Sequence, residues 1–163
     1  MTRRIMTLSL FLLLALGMLA APLQAKPASS GLDADVLREL AEVRRATAQY
    51  HDVAVAEAAG YTLMSECVAH PEWGGMGYHY VNMELVGTLN PTTPPILVYA
   101  PRPNGSLTLV AVEYAVPAAM GPASLFGQTF EPIGPPGLLT LHVWVWRANP
   151  DGMFAPYNPN VSC

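Results

Sequence analysis

The chain has 163 residues and a formal net charge of −4, with 52% hydrophobic and only 12% charged residues. That balance supplies a real core and excludes an intrinsically disordered chain. From Tyr61 onward the only Lys or Arg residues are Arg102 and Arg147. The clustered basic residues that a nucleic-acid surface needs are therefore missing, and an anionic membrane surface is disfavoured for the same reason.

The N-terminus opens with the basic stretch Met1-Thr2-Arg3-Arg4. An apolar run follows from Ile5 to Ala21, and Leu23-Gln24-Ala25 ends on a small residue. This layout predicts a secretory signal peptide over residues 1–25, cleaved after Ala25. The alternatives are an uncleaved anchor, because the apolar run approaches spanning length, and a twin-arginine route through Arg3-Arg4. Cleavage leaves residues 26–163, one domain's worth of chain, exported to a periplasmic or extracellular compartment and free of the membrane. Cys67 and Cys163 are the only cysteines. In an oxidising compartment they are expected to form a disulfide. It closes a loop of about 97 residues, worth on the order of 4–5 kcal/mol in the chain-entropy model. The rival is a reactive Cys67 beside His70.

After a polar spacer, Asp33 is placed to cap a helix, with Leu32 and Leu37 as a hydrophobic staple. Val36, Leu40, Val43, Thr47, Tyr50 and Ala54 recur at spacings of four and three, which puts them on one face. The pattern predicts one helix continuing to Ala59, roughly 40 Å long, with Gly60 as its C-cap. The period then changes. Pro and Gly clusters separate runs rich in Val, Tyr, Trp and Thr, which predicts strands over Tyr61–Val68, Tyr78–Val86, Ile96–Ala100, Leu107–Val116 and Leu138–Arg147. Pro103-Asn104-Gly105-Ser106 predicts a hairpin between the third and fourth strands. The Pro/Gly-rich segment from Pro117 to Gly137, with Phe126 and Phe130, is expected to fold down as a lid. Asn149-Pro150-Asp151-Gly152 reads as a type I turn. The fold class is α+β: one long N-terminal helix on a curved antiparallel sheet of about five strands, as in a cystatin-like or NTF2-like roll. A small barrel with an external helix is the alternative.

Alternation along each strand sorts its side chains into two faces. In the last strand Leu139, Leu141, Val143 and Val145 form a continuous aliphatic face. Opposite them lie Leu138, Thr140, His142, Trp144 and Trp146, apolar except for Thr140 and one ionisable group. His79 likewise shares a face with Val81, Met83 and Leu85. Glu113 shares one with Leu107, Leu109, Ala111 and Ala115. A buried unpartnered carboxylate costs several kcal/mol or takes up a proton, so these three groups are expected to meet one another or a bound ligand. Two imidazoles and a carboxylate projecting from strands can hold Zn, Fe(II), Mn or Cu with coordination positions left open. A self-satisfied buried polar cluster is the structural alternative.

Weaker features complete the reading. Gly74-Gly75-Met76-Gly77 precedes His79 and reads first as a glycine turn; it lacks the Lys and Ser/Thr of a phosphate loop. Five methionines, Met64, Met76, Met83, Met120 and Met153, suit copper through their thioethers, but scattered Met is more often core filler. Glu66 and Glu72 are candidate paired carboxylates for glycoside cleavage. Tyr78, Tyr80, Trp144 and Trp146 offer rings for stacking on a flat ligand. No nucleophile elbow is present.

Several segments together carry a resemblance. They are Gly75-Met76-Gly77-Tyr78-His79-Tyr80-Val81-Asn82, Val112-Glu113-Tyr114, Leu125-Phe126-Gly127-Gln128 and Leu141-His142-Val143-Trp144-Val145-Trp146, with Asn149 to Phe154 and Asn158 to Cys163. They resemble a group of small secreted bacterial proteins without a characterised activity. The resemblance implies a bacterial, exported protein and nothing about its chemistry. The functional expectation therefore rests on the residues: an exported domain that binds a small molecule or metal ion in a pocket around His79, Glu113 and His142, with Tyr80 and Trp144 beside them, covered by the Pro117–Gly137 segment. The rivals are a metal-dependent enzyme using the same residues and a structural module of the cell envelope.

Overall fold

The computed structural model describes residues 31–163, so the expected signal peptide over 1–25 lies outside the described residues. The amphipathic stretch after Asp33 is helical, but not as one rod. Helix α1 spans Ala34–Thr47 and α2 spans Val53–Ala58, with a 3-10 turn at Ala48–His51 between them. Asp52 makes the break. Its backbone is extended, and its carboxylate accepts the Ala54 N–H at 3.0 Å, so it starts a second helix instead of continuing the first. Asp33 does stand at the N-cap of α1, although its side chain makes no capping hydrogen bond. Thr47, the one polar member of the helical stripe, is fully buried because its hydroxyl donates back to the Val43 carbonyl and accepts the Trp146 indole N–H.

Beyond Gly60 the chain is built from strands. The main sheet holds β1 (Thr62–Leu63), β3 (Gly74–Val81), β4 (Ile96–Pro101), β5 (Leu107–Pro117) and β8 (Leu138–Val143), in that order and antiparallel throughout, with β2 (Val68–His70) paired to the first half of β3. The fold is thus α+β. Strands β4 and β5 form the expected hairpin, whose turn places Gly105 at φ 81° and closes with Arg102 N–H donating to the Ser106 carbonyl at 2.8 Å.

Three departures from simple alternation matter for the site. First, the expected strand Tyr61–Val68 is two short pieces, and the strand expected to begin at Tyr78 begins at Gly74 and stops at Val81, where Asn82 caps a 3-10 turn over Met83–Leu85. The glycine run is therefore strand, not turn. Gly74 and Gly77 have φ of 84° and 116°, and a Cβ on either would run into backbone: that of Asn158 and Pro159 for Gly74, the Tyr99 carbonyl for Gly77. Second, a bulge at Val110 sets Val98 opposite Ala111 but Tyr99 opposite Leu109. Leu109 consequently packs on the helix side, while Ala111 and Ala115 pack on the other. Third, the last strand ends at Val143, and beyond it Trp146 turns to the helix side against His51 and Thr47 rather than staying on the His142 face.

Two apolar layers result. Leu40, Val43 and Ala56 of the helices pack on Tyr80, Leu97, Tyr99, Val112, Tyr114 and Val143. Ile96, Val98, Ala111, Ala115, Trp144 and Val161 form the second cluster, on the opposite face. The C-terminal tail covers part of that face. Asn158 exchanges backbone hydrogen bonds with Gly75, and the Val161 carbonyl accepts the Gly75 N–H at 2.8 Å. Cys163 is at disulfide-bonding distance from Cys67, with Cα atoms 5.7 Å apart. The Pro117–Gly137 segment is not a plain loop. It contains a 3-10 turn and a small hairpin of β6 (Ser124–Leu125) and β7 (Gln128–Thr129). Phe126 and Phe130 anchor it in the helix-side core, and Ile133–Pro135 reach the cavity on the other face. Among the described residues no helix is long and apolar enough to cross a membrane.

Candidate metal centre

Register brings the three interrupting residues together. Glu113 lies directly opposite His142 across β5 and β8, and opposite Ile96 across β4 and β5; one strand further, His79 pairs with Val98. All three project from the face away from the helices. One ligating atom from each can be chosen so that all lie within 4.8 Å of one another. Glu113 Oε2 is 3.5 Å from His79 Nε2, and Glu113 Oε1 is 3.4 Å from His142 Nδ1. Both separations are longer than the N–H···O range of about 2.7–3.2 Å. Each is close to the spacing of about 3.3 Å between two ligand atoms bound tetrahedrally to one ion at 2.0–2.1 Å, with one carboxylate oxygen facing each imidazole.

Burial sets the charge of the cluster. Loss of solvent pushes the Glu113 carboxyl up to about 8; the neighbouring Thr140 hydroxyl donates its hydrogen bond to the Ile133 carbonyl instead. Burial pulls His79 down to about 4 against a backbone contact with Gly77, and pulls His142 down to about 3, where His79 adds to the effect. The distances are those of ion pairs, yet desolvation favours the neutral form of every member. At neutral pH the metal-free cluster is a protonated carboxyl between two uncharged imidazoles. One atom of the cluster lacks a partner among the described residues: His142 Nε2 is buried without a hydrogen bond, a deficit that costs about 1–3 kcal/mol.

One orienting residue was not visible in the sequence. Ser65, in the turn between β1 and β2, accepts the His79 backbone N–H at 3.1 Å, and its Oγ lies 3.0 Å from His79 Nδ1. This fixes the imidazole with Nε2 toward Glu113. It is the outer contact that ligating histidines make through their second nitrogen. A serine in a turn fourteen residues from its partner has no local pattern to betray it.

The cluster opens into a cavity of about 510 Å³. Its wall is aliphatic and thioether: Met64, Met76, Met83, Val86, Ile96, Ala115 and Leu138 contribute, with Ile133–Pro135 as a cover. A second cavity, of about 400 Å³, shares Ile133, Thr140 and His142 with the first but is lined by Gln128, Thr129 and Glu131. His142 therefore borders an apolar and a polar space.

The other expected residues fall elsewhere. Tyr80 does not join the pocket. It alternates with His79 to the opposite face and packs in the helix-side core, 5.1 Å from the Tyr99 ring. Trp144 is also no part of the cavity wall. It is buried beneath His142, ring centroids 6.3 Å apart, with its indole N–H donated to the Ala155 carbonyl. It supports the site as packing. Glu66 and Glu72 are exposed. His70 stacks on Trp73 at 3.8 Å, and Cys67 pairs with Cys163 rather than with His70. Of the methionines, Met64, Met76 and Met83 line the cavity, while Met120 is exposed and Met153 packs against the core.

No family model, curated protein or solved structure matches this chain.

Proposed function

We propose that this is an exported ligand-binding domain whose centre is a transition-metal ion held by His79 Nε2, the Glu113 carboxylate and His142 Nδ1. The observation that carries the reading is the convergence of the three groups: one ligating atom from each lies within 4.8 Å of the others, and the Glu113 carboxylate stands 3.5 Å from His79 Nε2 and 3.4 Å from His142 Nδ1. A divalent ion also removes the difficulty of a carboxyl buried on an apolar sheet, because it replaces the proton that burial otherwise retains. Imidazole donors favour Zn, Cu and Fe(II), and a single carboxylate is compatible with each; Mn, which prefers oxygen ligands, fits less well. The cysteine pair and the expected N-terminal signal support export.

A catalytic role for the same centre is the second reading. Three protein ligands leave a coordination position, and the cluster borders a cavity large enough for a substrate. That is the arrangement in which a metal activates water or polarises a bound group. A purely structural polar cluster is the third reading; His142 Nε2 has no hydrogen-bond partner among the described residues in either case, because the atom facing Glu113 is Nδ1.

Elemental analysis of tag-free protein tests the metal. The expected result is about one equivalent of Zn, Cu or Fe per chain, lost in the His79→Ala/His142→Ala double variant. Absence of stoichiometric metal both as purified and after exposure to each ion would overturn the reading.

A further inference from the structure

The cavity has one polar focus and is otherwise greasy. Of its polar lining residues, His79, Glu113 and His142 form the centre, Ser65 bonds to His79, and Thr140 donates its hydroxyl to the Ile133 carbonyl. Only Tyr157 stands apart from that group. Among the described residues no Lys, Arg, Asn or Gln lines the space, so they offer nothing to a sugar, a nucleotide or a phosphate, each of which needs several donors. Charge then narrows the occupant. A divalent ion with one carboxylate and two neutral imidazoles carries one uncompensated positive charge, and a lone charge in an apolar enclosure is costly. A single negative head group cancels it.

The mouth points the same way. Met64 and Met83 line the cavity yet are 60% and 64% exposed. Flexible thioethers at an entrance adapt to apolar bodies of different shape.

We propose that the cavity takes a small apolar monoanion, an aliphatic or aromatic carboxylate, with its charged head on the metal and its hydrocarbon body against Ile96, Ala115, Val86 and Leu138. The inference rests on the metal reading above. It is tested on the intact mature chain loaded with Co(II), whose visible absorption reports metal binding before any ligand is added. Acetate, butyrate, octanoate, 3-phenylpropionate and octanol are then titrated in turn.

The expected result is that carboxylates perturb the Co(II) bands and that affinity climbs steeply from acetate to octanoate, about fourfold per methylene, so that octanoate binds at least a hundredfold more tightly than acetate. Octanol, without the charge, binds far more weakly. Relative binding of octanoate and 3-phenylpropionate tells an aliphatic from an aromatic body. Intact Co(II) bands that octanoate leaves unchanged, or equal affinity for acetate and octanoate, overturn the inference and leave the metal centre standing. Failure to form Co(II) bands at all overturns the metal reading and this inference with it.

Discussion

Glu113 decides what the centre does at a given pH. Its carboxyl keeps a proton up to about pH 8 in the metal-free fold, and a metal must displace that proton to bind. Metal affinity is therefore expected to rise about tenfold per pH unit from pH 6.5 to 8 and to level off above that; isothermal titration with Zn in several buffers checks both the slope and the proton released. The imidazoles add no slope in that window, since burial already holds both neutral there. Ser65 acts one step further out. Ser65→Ala frees the His79 ring and is expected to weaken metal binding at least tenfold, the usual loss when an outer contact of a ligand is removed, while the unfolding midpoint moves little. The three members of the centre were legible in the sequence because each interrupts an apolar face of period two. Tyr80 and Trp144 were misassigned for opposite reasons: Tyr80 alternates away from His79, and Trp144 lies just past the end of the strand, where the ring packs under the site instead of into it.

At the scale of elements, the strands that carry the site were readable and the irregularities that aim it were not. Val, Tyr and Ala composition marks β4 and β5, Leu, Thr and Val mark β8, and the Asn-Gly turn fixes the β4–β5 pairing. The bulge at Val110 leaves no trace in composition, yet it moves Leu109 to the helix side and so rearranges the neighbours expected around Glu113. The helix break at Asp52 was hidden because the apolar stripe carries across it. The glycines before His79 looked like a turn because glycine is rare in strand interiors; here close backbone approach requires them. Gly77→Ala puts a methyl against the Tyr99 carbonyl in a conformation that L residues avoid. It is expected to destabilise the domain by more than about 1 kcal/mol and, two residues from His79, to lower metal affinity as well. Thermal unfolding with and without Zn measures both effects.

For the whole molecule, two couplings follow. The disulfide joins residues 96 apart and ties down the tail that packs on β3. Replacing Cys67 and Cys163 by Ser is expected to cost on the order of 4–5 kcal/mol in the chain-entropy model, read as a lower urea midpoint. The buried cluster also gives the metal-free protein a pH optimum. Glu113 is raised in the fold above its ordinary value of 4.5, so its contribution is lost as pH rises toward 8. His79 and His142 are lowered below 6.5, so theirs is lost as pH falls toward 4 and 3. Stability in EDTA should therefore peak near pH 6.5, and Glu113→Gln should abolish the decline between 6.5 and 8.

Anomalous diffraction from Zn-soaked crystals of residues 26–163 tests the central claim most directly. The account predicts one strong peak about 2.0–2.2 Å from His79 Nε2, His142 Nδ1 and a Glu113 oxygen. A map with no density between these side chains, at full Zn exposure and pH 8, would contradict it.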